Sequence, residues 1–352
     1  MMKGKKQLTL RQKIAKRIGI GAGSLAAISV FMILAIYLCT PLIFHDFFGN
    51  ARKEYRVPGL RDGLVPQGYA YVADKEIYLQ CGYMADGMSA SRIYVTNAKD
   101  TDDTRFLELY TSDGTPYTGH TGGITAAGGF VWLANDGEGE DNCVWVMSLD
   151  EILTAENGGK ITLTVSFQSE TRAACCFTDG EYLWIGEFND GGKYVTDPSH
   201  KFAVSGGENA ALVCAYPLDT ASVYGIAFTE AEGQAVFTPA MALSVANYVQ
   251  GFTKTPDGFA LSTSHGIAFS HMYLHKDVTK DDADASMTVN GAPVPVYFLD
   301  SESLINDIAF PPMSEEIFVK DGRLYVLPES ACKKYLVGIL VRGSHIYSYE
   351  LE

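Results

Sequence analysis

Basic residues are scarce in this 352-residue chain and unevenly placed. Of the 27 Lys and Arg, seven (Lys3, Lys5, Lys6, Arg11, Lys13, Lys16 and Arg17) fall in residues 1–17, where there is no acid. The rest of the chain holds 20 bases against 42 acids, a net of −22. A surface of that sign repels polyanions, which excludes nucleic acid and argues against anionic lipid as a partner of that part. Cysteine is also sparse. The seven residues (Cys39, Cys81, Cys143, Cys175, Cys176, Cys214 and Cys332) show no pair at zinc-ligand spacing. The six beyond Cys39 sit in strand-like runs, and adjacent Cys175 and Cys176 point to opposite faces of a strand, so buried free thiols are expected rather than bridges. No G-x-S-x-G segment occurs, which removes the nucleophile elbow of one large hydrolase class.

Charge is missing altogether from residues 18–44. About 20 apolar residues cross a bilayer as a helix, and the basic flank of such a helix stays cytoplasmic. The expected organisation is a basic cytoplasmic tail over 1–17, a transmembrane helix over 18–44 and a juxtamembrane linker over 45–63. An extracellular domain then fills 64–352. The apolar run is too long for a cleaved signal peptide, whose core spans about 7–15 residues, and no small-x-small site follows it.

What the sequence has in quantity is turn-punctuated strand. Residues 175–187 read as an apolar run, an Asp179-Gly180 turn and a second run, Tyr182-Leu183-Trp184-Ile185. This is a hairpin signal. Four similar hairpins surround Asp74, Gly128, Asp257-Gly258 and Asp321-Gly322. Recurrence at this spacing points to propeller blades, in which four-stranded sheets stand radially about an axis and bury their faces against one another. The predicted fold is all-β, a five-bladed propeller. A six-bladed ring is the alternative, because residues 225–237 carry a further Glu232-Gly233 turn, although it lies too near Asp257 for a full blade. The last copy shows three strands, and residues before Gly68 are expected to supply its fourth.

In a propeller the innermost strands line the channel and their first residues converge at one mouth. Those starts include Gln67-Gly68, His120-Thr121-Gly122-Gly123, Gln250-Gly251 and Glu315-Glu316. Glycine permits close approach to backbone, and glutamine offers donors and an acceptor. A polar ring of Gln67, His120, Gln250 and Glu316 is therefore the candidate ligand site, with Glu187, Ser264, His265 and Glu329 nearby at the ends of second strands. Two functions compete with a merely structural reading, in which water fills the channel. One is a binding module for a small polar ligand, a glycan or a partner protein. The other is a hydrolase or lyase working through mouth carboxylates, with room for a divalent cation as its cofactor. The acidic stretch 135–141 is rich in oxygen ligands but lacks EF-hand spacing, and it reads as a solvated turn; residues 276–284 are similarly acidic.

Gln67-Gly68, Gly82-Tyr83-Met84, Gly119-His120-Thr121-Gly122-Gly123, Val249-Gln250-Gly251 and Leu324-Tyr325-Val326-Leu327-Pro328-Glu329-Ser330 resemble segments of membrane-anchored or secreted propeller proteins of Gram-positive bacteria. The resemblance implies a fold and an address, not a reaction. More distantly the architecture is similar to gluconolactonase-type propellers, which hold a metal on Glu, Asn and Asp at the channel. Only Glu316 has a comparable place here.

Overall fold

The computed structural model describes residues 9–137, 142–335 and 338–351. Five antiparallel sheets succeed one another along the chain, and their innermost strands are Leu64–Val72, Thr121–Ala127, Cys175–Thr178, Val249–Thr255 and Ser314–Lys320. We number the blades 1 to 5 in that order. Each inner strand neighbours the next, and blade 1 meets blade 5, so the ring is closed.

The hairpins form where the turn chemistry lies. At Asp321-Gly322 both residues adopt positive φ (52° and 72°), the geometry of a tight hairpin that matches strand twist. At Asp179 one carboxylate oxygen accepts from the Glu181 and Tyr182 backbone N–H groups, and the other from the Trp184 indole. The second strands are apolar on both faces because both are covered. One apolar cluster fills each gap between neighbours: Leu79 with Leu133, Trp132 with Ile185, Trp184 with Phe259, Met272 with Val326, and Tyr69 with Phe318. Cys175 belongs to the cluster facing blade 4 and Cys176 to the one facing blade 2, as alternation along a strand requires. All seven cysteines are unbridged; six are buried and Cys39 is exposed.

Two excursions staple the ring. Gly159–Leu163 leaves blade 2 to pair in parallel with the outer strand of blade 1, and Ala292–Phe298 leaves blade 4 to pair in parallel with Met241–Val245 of blade 3. Residues around Glu232-Gly233 form only a small ribbon, Thr229–Ala231 with Gln234–Val236, outside blade 3. The ring has five blades, and the six-bladed alternative falls.

Residues 45–63 are not a linker. His45–Asn50 is a short helix, and Ala51–Arg56 is the fourth strand of blade 5, antiparallel to His345–Glu350. The first strand thus closes the last blade, and the propeller begins near residue 51 rather than 64. Phe47 is its fastener: it is 1% exposed and stacks on Phe310 at 5.2 Å and Tyr349 at 6.1 Å.

Ahead of it Leu10–Ile43 is one 34-residue helix. Among the described residues no helix is long and apolar enough to cross a membrane, so the crossing expected of residues 18–44 is not displayed by the fold. The end of this helix rests on blades 4 and 5. The Thr40 hydroxyl donates to the Leu340 carbonyl at 3.4 Å, the Arg342 guanidinium lies 4.6 Å from the Tyr37 ring, and Phe44 meets Phe269 edge-on at 4.7 Å. Farther up, Ile28, Phe31, Leu34 and Leu38 are exposed.

Candidate functional site: the axial mouth

Four of the five inner strands carry a bulge at the same height. Register slips between Pro66 and Tyr69, Thr121 and Gly123, Val249 and Gly251, and Ser314 and Ile317. A bulge sets two residues against one and re-aims both side chains. The first residue of each pair (Gln67, Gly122, Gln250, Glu315) turns to the mouth. The second (Gly68, Gly123, Gly251, Glu316) turns to the axis, where space is short. A Cβ on Gly123 would stand 2.5 Å from the Cys176 nitrogen and 2.7 Å from a Glu316 carboxylate oxygen, and one on Gly251 would stand 2.7 Å from the Glu316 Cα. Glycine at these positions lets neighbouring strands approach the axis, and Gly123 leaves room for the Glu316 carboxylate.

Glu316 is accordingly an axial plug and not a mouth residue. It is 1% exposed, and the backbone N–H groups of Ile124, Cys176 and Phe252 face its oxygens without a well-formed hydrogen bond. Burial holds its carboxyl well above the usual range, and those N–H groups reverse only part of that shift.

Above the plug a cavity of about 200 Å³ is lined by Gln67, Tyr83, His120, Gln250, Glu315 and Glu329, with Asp136, Phe188, Tyr194, Lys334 and Tyr335 at its sides. Its centre is a pair of acids. Burial, the Glu329 charge and a hydrogen bond to Glu329 push Glu315 well above the ordinary carboxyl range. The two carboxyls face each other within hydrogen-bond reach. Glu329 is also raised by burial, while Lys334, His120 and the bond to Glu315 work against the rise. The Gln67 amide donates to Glu329 at 3.0 Å. On the facing side His120 Nδ1 lies 2.9 Å from Asp136, and Lys334 donates to the Tyr83 hydroxyl at 2.5 Å. Burial would raise Asp136, but the His120 bond and charge, with Arg172, bring it below its usual value.

The structure thus brings together Gln67, His120, Gln250 and Glu329 and sets the other named residues elsewhere. Glu187 is buried beneath the loop after its strand, 2.9 Å from His200 Nδ1 and accepting from the Leu212 N–H at 3.0 Å. The Ser264 hydroxyl accepts from the Met313 N–H at 3.1 Å, which steadies a residue at φ 65°. His265 is exposed and stacks on Tyr248 at 4.7 Å. Ser264, His265 and Glu316 form no triad. Sequence reasoning missed Glu315, the acid at the centre, and Asp136, Tyr194 and Tyr335, which only loop packing brings in. Among the described residues no three His, Cys, Asp or Glu side chains are grouped to hold a metal ion, and residues 138–141 of the acidic loop lie outside them. The wider clefts, about 470 and 400 Å³, lie at blade edges and gather no comparable set of convergent groups.

No family model matches the chain, and no curated protein is similar to it. Solved structures with a similar course of chain include an exo-β-1,3-galactanase from Phanerochaete chrysosporium, at 12% identity and TM-score 0.42 over 82% of this chain and 59% of that one. Regucalcin, a calcium-binding protein from Agrobacterium tumefaciens, matches at 9% identity and TM-score 0.37 over 85% and 94%. BamB from Moraxella catarrhalis matches at 8% and TM-score 0.33 over 82% and 83%. The chain spans little more than half of the galactanase. Likeness at this level carries no argument about chemistry, which rests on the mouth itself.

Proposed function

We propose that the protein is a binding module whose axial mouth takes a small polar ligand of about one sugar residue, such as the end of a glycan. One observation carries this reading: side chains from all five blades converge on one small cavity. Two amides (Gln67, Gln250) and two carboxyls (Glu315, Glu329) sit among the rings of Tyr83, Phe188, Tyr194 and Tyr335. Amides and carboxyls match adjacent hydroxyl groups, rings cover apolar faces, and a few convergent polar groups in a preformed pocket fix orientation. The test is calorimetric titration with a panel of monosaccharides and short glycans. Gln67→Ala and Gln250→Ala should each weaken the bound member about tenfold, the loss of one to two hydrogen bonds. Binding that ignores both variants overturns the reading.

The second reading is a hydrolase or lyase, and the close approach of Glu315 and Glu329, both raised by burial, favours it, because such pairs serve as general acid and base. Glycoside hydrolysis, however, wants carboxyls about 5–5.5 Å apart for retention or about 6.5–9.5 Å for inversion, and these two are in hydrogen-bond contact. Turnover of a bound sugar that vanishes in Glu329→Gln while binding persists would decide for the enzyme.

We also propose that residues 18–44 anchor the propeller in a membrane with residues 1–17 on the cytoplasmic side. The uncharged run and its exposed apolar side chains support this. Carbonate extraction of membranes from expressing cells should leave the full chain in the pellet, and release into the supernatant would refute it.

A further inference from the structure

The register of each blade fixes which loops share an end of the ring. Loops that follow second strands lie at the mouth. Three such loops, 85–91, 187–201 and 264–269, are described throughout, and a fourth is described at residues 329–335 and 338–344. Each carries a large apolar side chain in solvent: Met88 at 76%, Val195 at 55%, Ile267 at 80% and Ile339 at 63% exposed. Isolated exposed apolar residues are ordinary. One in each of these four loops at the same end is a pattern. The long helix leaves from this same end, because Thr40, Tyr37 and Phe44 touch loops 329–344 and 264–269.

Charge is divided to match. The mouth loops mix both signs, with Lys193, Lys334 and Arg342 beside Asp86, Asp190 and Asp197. The hairpins at the opposite end and the short helix Leu149–Thr154 carry Asp100, Asp102, Asp103, Asp150, Glu151 and Glu232 in solvent, against the exposed Lys75 and Lys99. Among the described loops the acidic excess therefore lies at the end away from the helix.

We infer that the mouth face is seated on the lipid bilayer from which the helix emerges, with Met88, Val195, Ile267 and Ile339 dipping into the interface. This rests on the reading of residues 18–44 as an anchor. Apolar tips beside an anchor add buried area at the headgroup and acyl boundary, about 5–10 Å deep. The axial cavity then opens onto the headgroup layer, and the ligand it takes is one carried by the membrane surface.

The test uses the full chain with Cys39→Ser, in which the remaining cysteines are buried. An environment-sensitive fluorophore is placed through Met88→Cys, Ile267→Cys or, at the far end, Asp102→Cys. The chain is reconstituted into phosphatidylcholine vesicles with or without brominated acyl chains. Loss of most of the fluorescence at 88 and 267, with none at 102, is the expected result. A chain that stays with the vesicles while positions 88 and 267 remain unquenched overturns the seating and leaves the anchor standing. A chain that does not stay with the vesicles refutes the anchor and the seating with it.

Discussion

Two buried titrating groups show how single residues set the behaviour of the ring. Burial and the neighbouring Glu329 hold the Glu315 carboxyl well above the ordinary range. A carboxyl raised in the folded state favours folding below the unfolded carboxyl range, and that stability is lost as pH rises toward the folded value. Glu315→Gln supplies a donor and removes the titration. Urea midpoints measured from pH 5 to 9 should fall less steeply for the variant than for the wild type, and a parallel fall would show that Glu315 is not raised. His200 titrates with the same sign. Burial pulls it down, but the hydrogen bonds it donates to the Glu170 and Glu187 carboxylates, with their charge, more than reverse this, and it is raised to about 9. Its contribution is complete below the ordinary histidine range and disappears as pH rises through about 9. His200→Gln strands the Glu187 carboxylate and should cost about 3 kcal/mol at pH 6. That difference in chemical-denaturation free energy should shrink above pH 9, and a pH-independent loss would mean that packing, not the ion pair, is what was removed.

At the level of the strand, the inner strands meet the axis through glycine. Gly123 has ordinary backbone angles, so its need is space. Gly123→Ala would drive a methyl group into the Cys176 nitrogen, the Cys175 Cα and the Glu316 carboxyl. Overpacking of this kind costs about 1–3 kcal/mol, and because backbone cannot swing aside the upper end is expected in thermal unfolding. Gly129→Ala has open space but a φ of 89°, so its milder loss would separate strain from crowding. The same strands show what could and could not be read from residues alone. The hairpins at Asp179-Gly180 and Asp321-Gly322 were legible because turn chemistry is local. The bulges were not, because they depend on a partner strand, and a one-residue slip exchanges faces. That slip is the whole difference between Glu316, expected at the mouth and found on the axis, and Glu315, overlooked and found in the cavity. Glu187 was misplaced for another reason: its partner His200 comes from a loop whose path no periodicity describes.

For the whole molecule, closure is the property on which the site depends, since the mouth exists only while all five blades face one centre. The count of blades was readable from repeated turns, and a closing strand from before Gly68 was expected. Its position, and the helix that locks it, followed from packing of Phe44 and Phe47 that sequence does not announce. Closure therefore has a sharp boundary along the chain. A chain beginning at His45 keeps Phe47 and the strand Ala51–Arg56 and should unfold in one cooperative step as a monomer. A chain beginning at Val57 loses both and bares the backbone edge of His345–Glu350, a template for pairing with other chains. It should show a lower unfolding midpoint, concentration-dependent light scattering, and loss of amide-exchange protection that starts in blade 5 and reaches the blade 5–blade 1 cluster of Tyr69 and Phe318 before the blade 2–blade 3 cluster of Trp132 and Ile185. Equal loss of protection in all blades would mean that the ring stands or falls as a unit, and that the first strand acts through global stability rather than as a local latch.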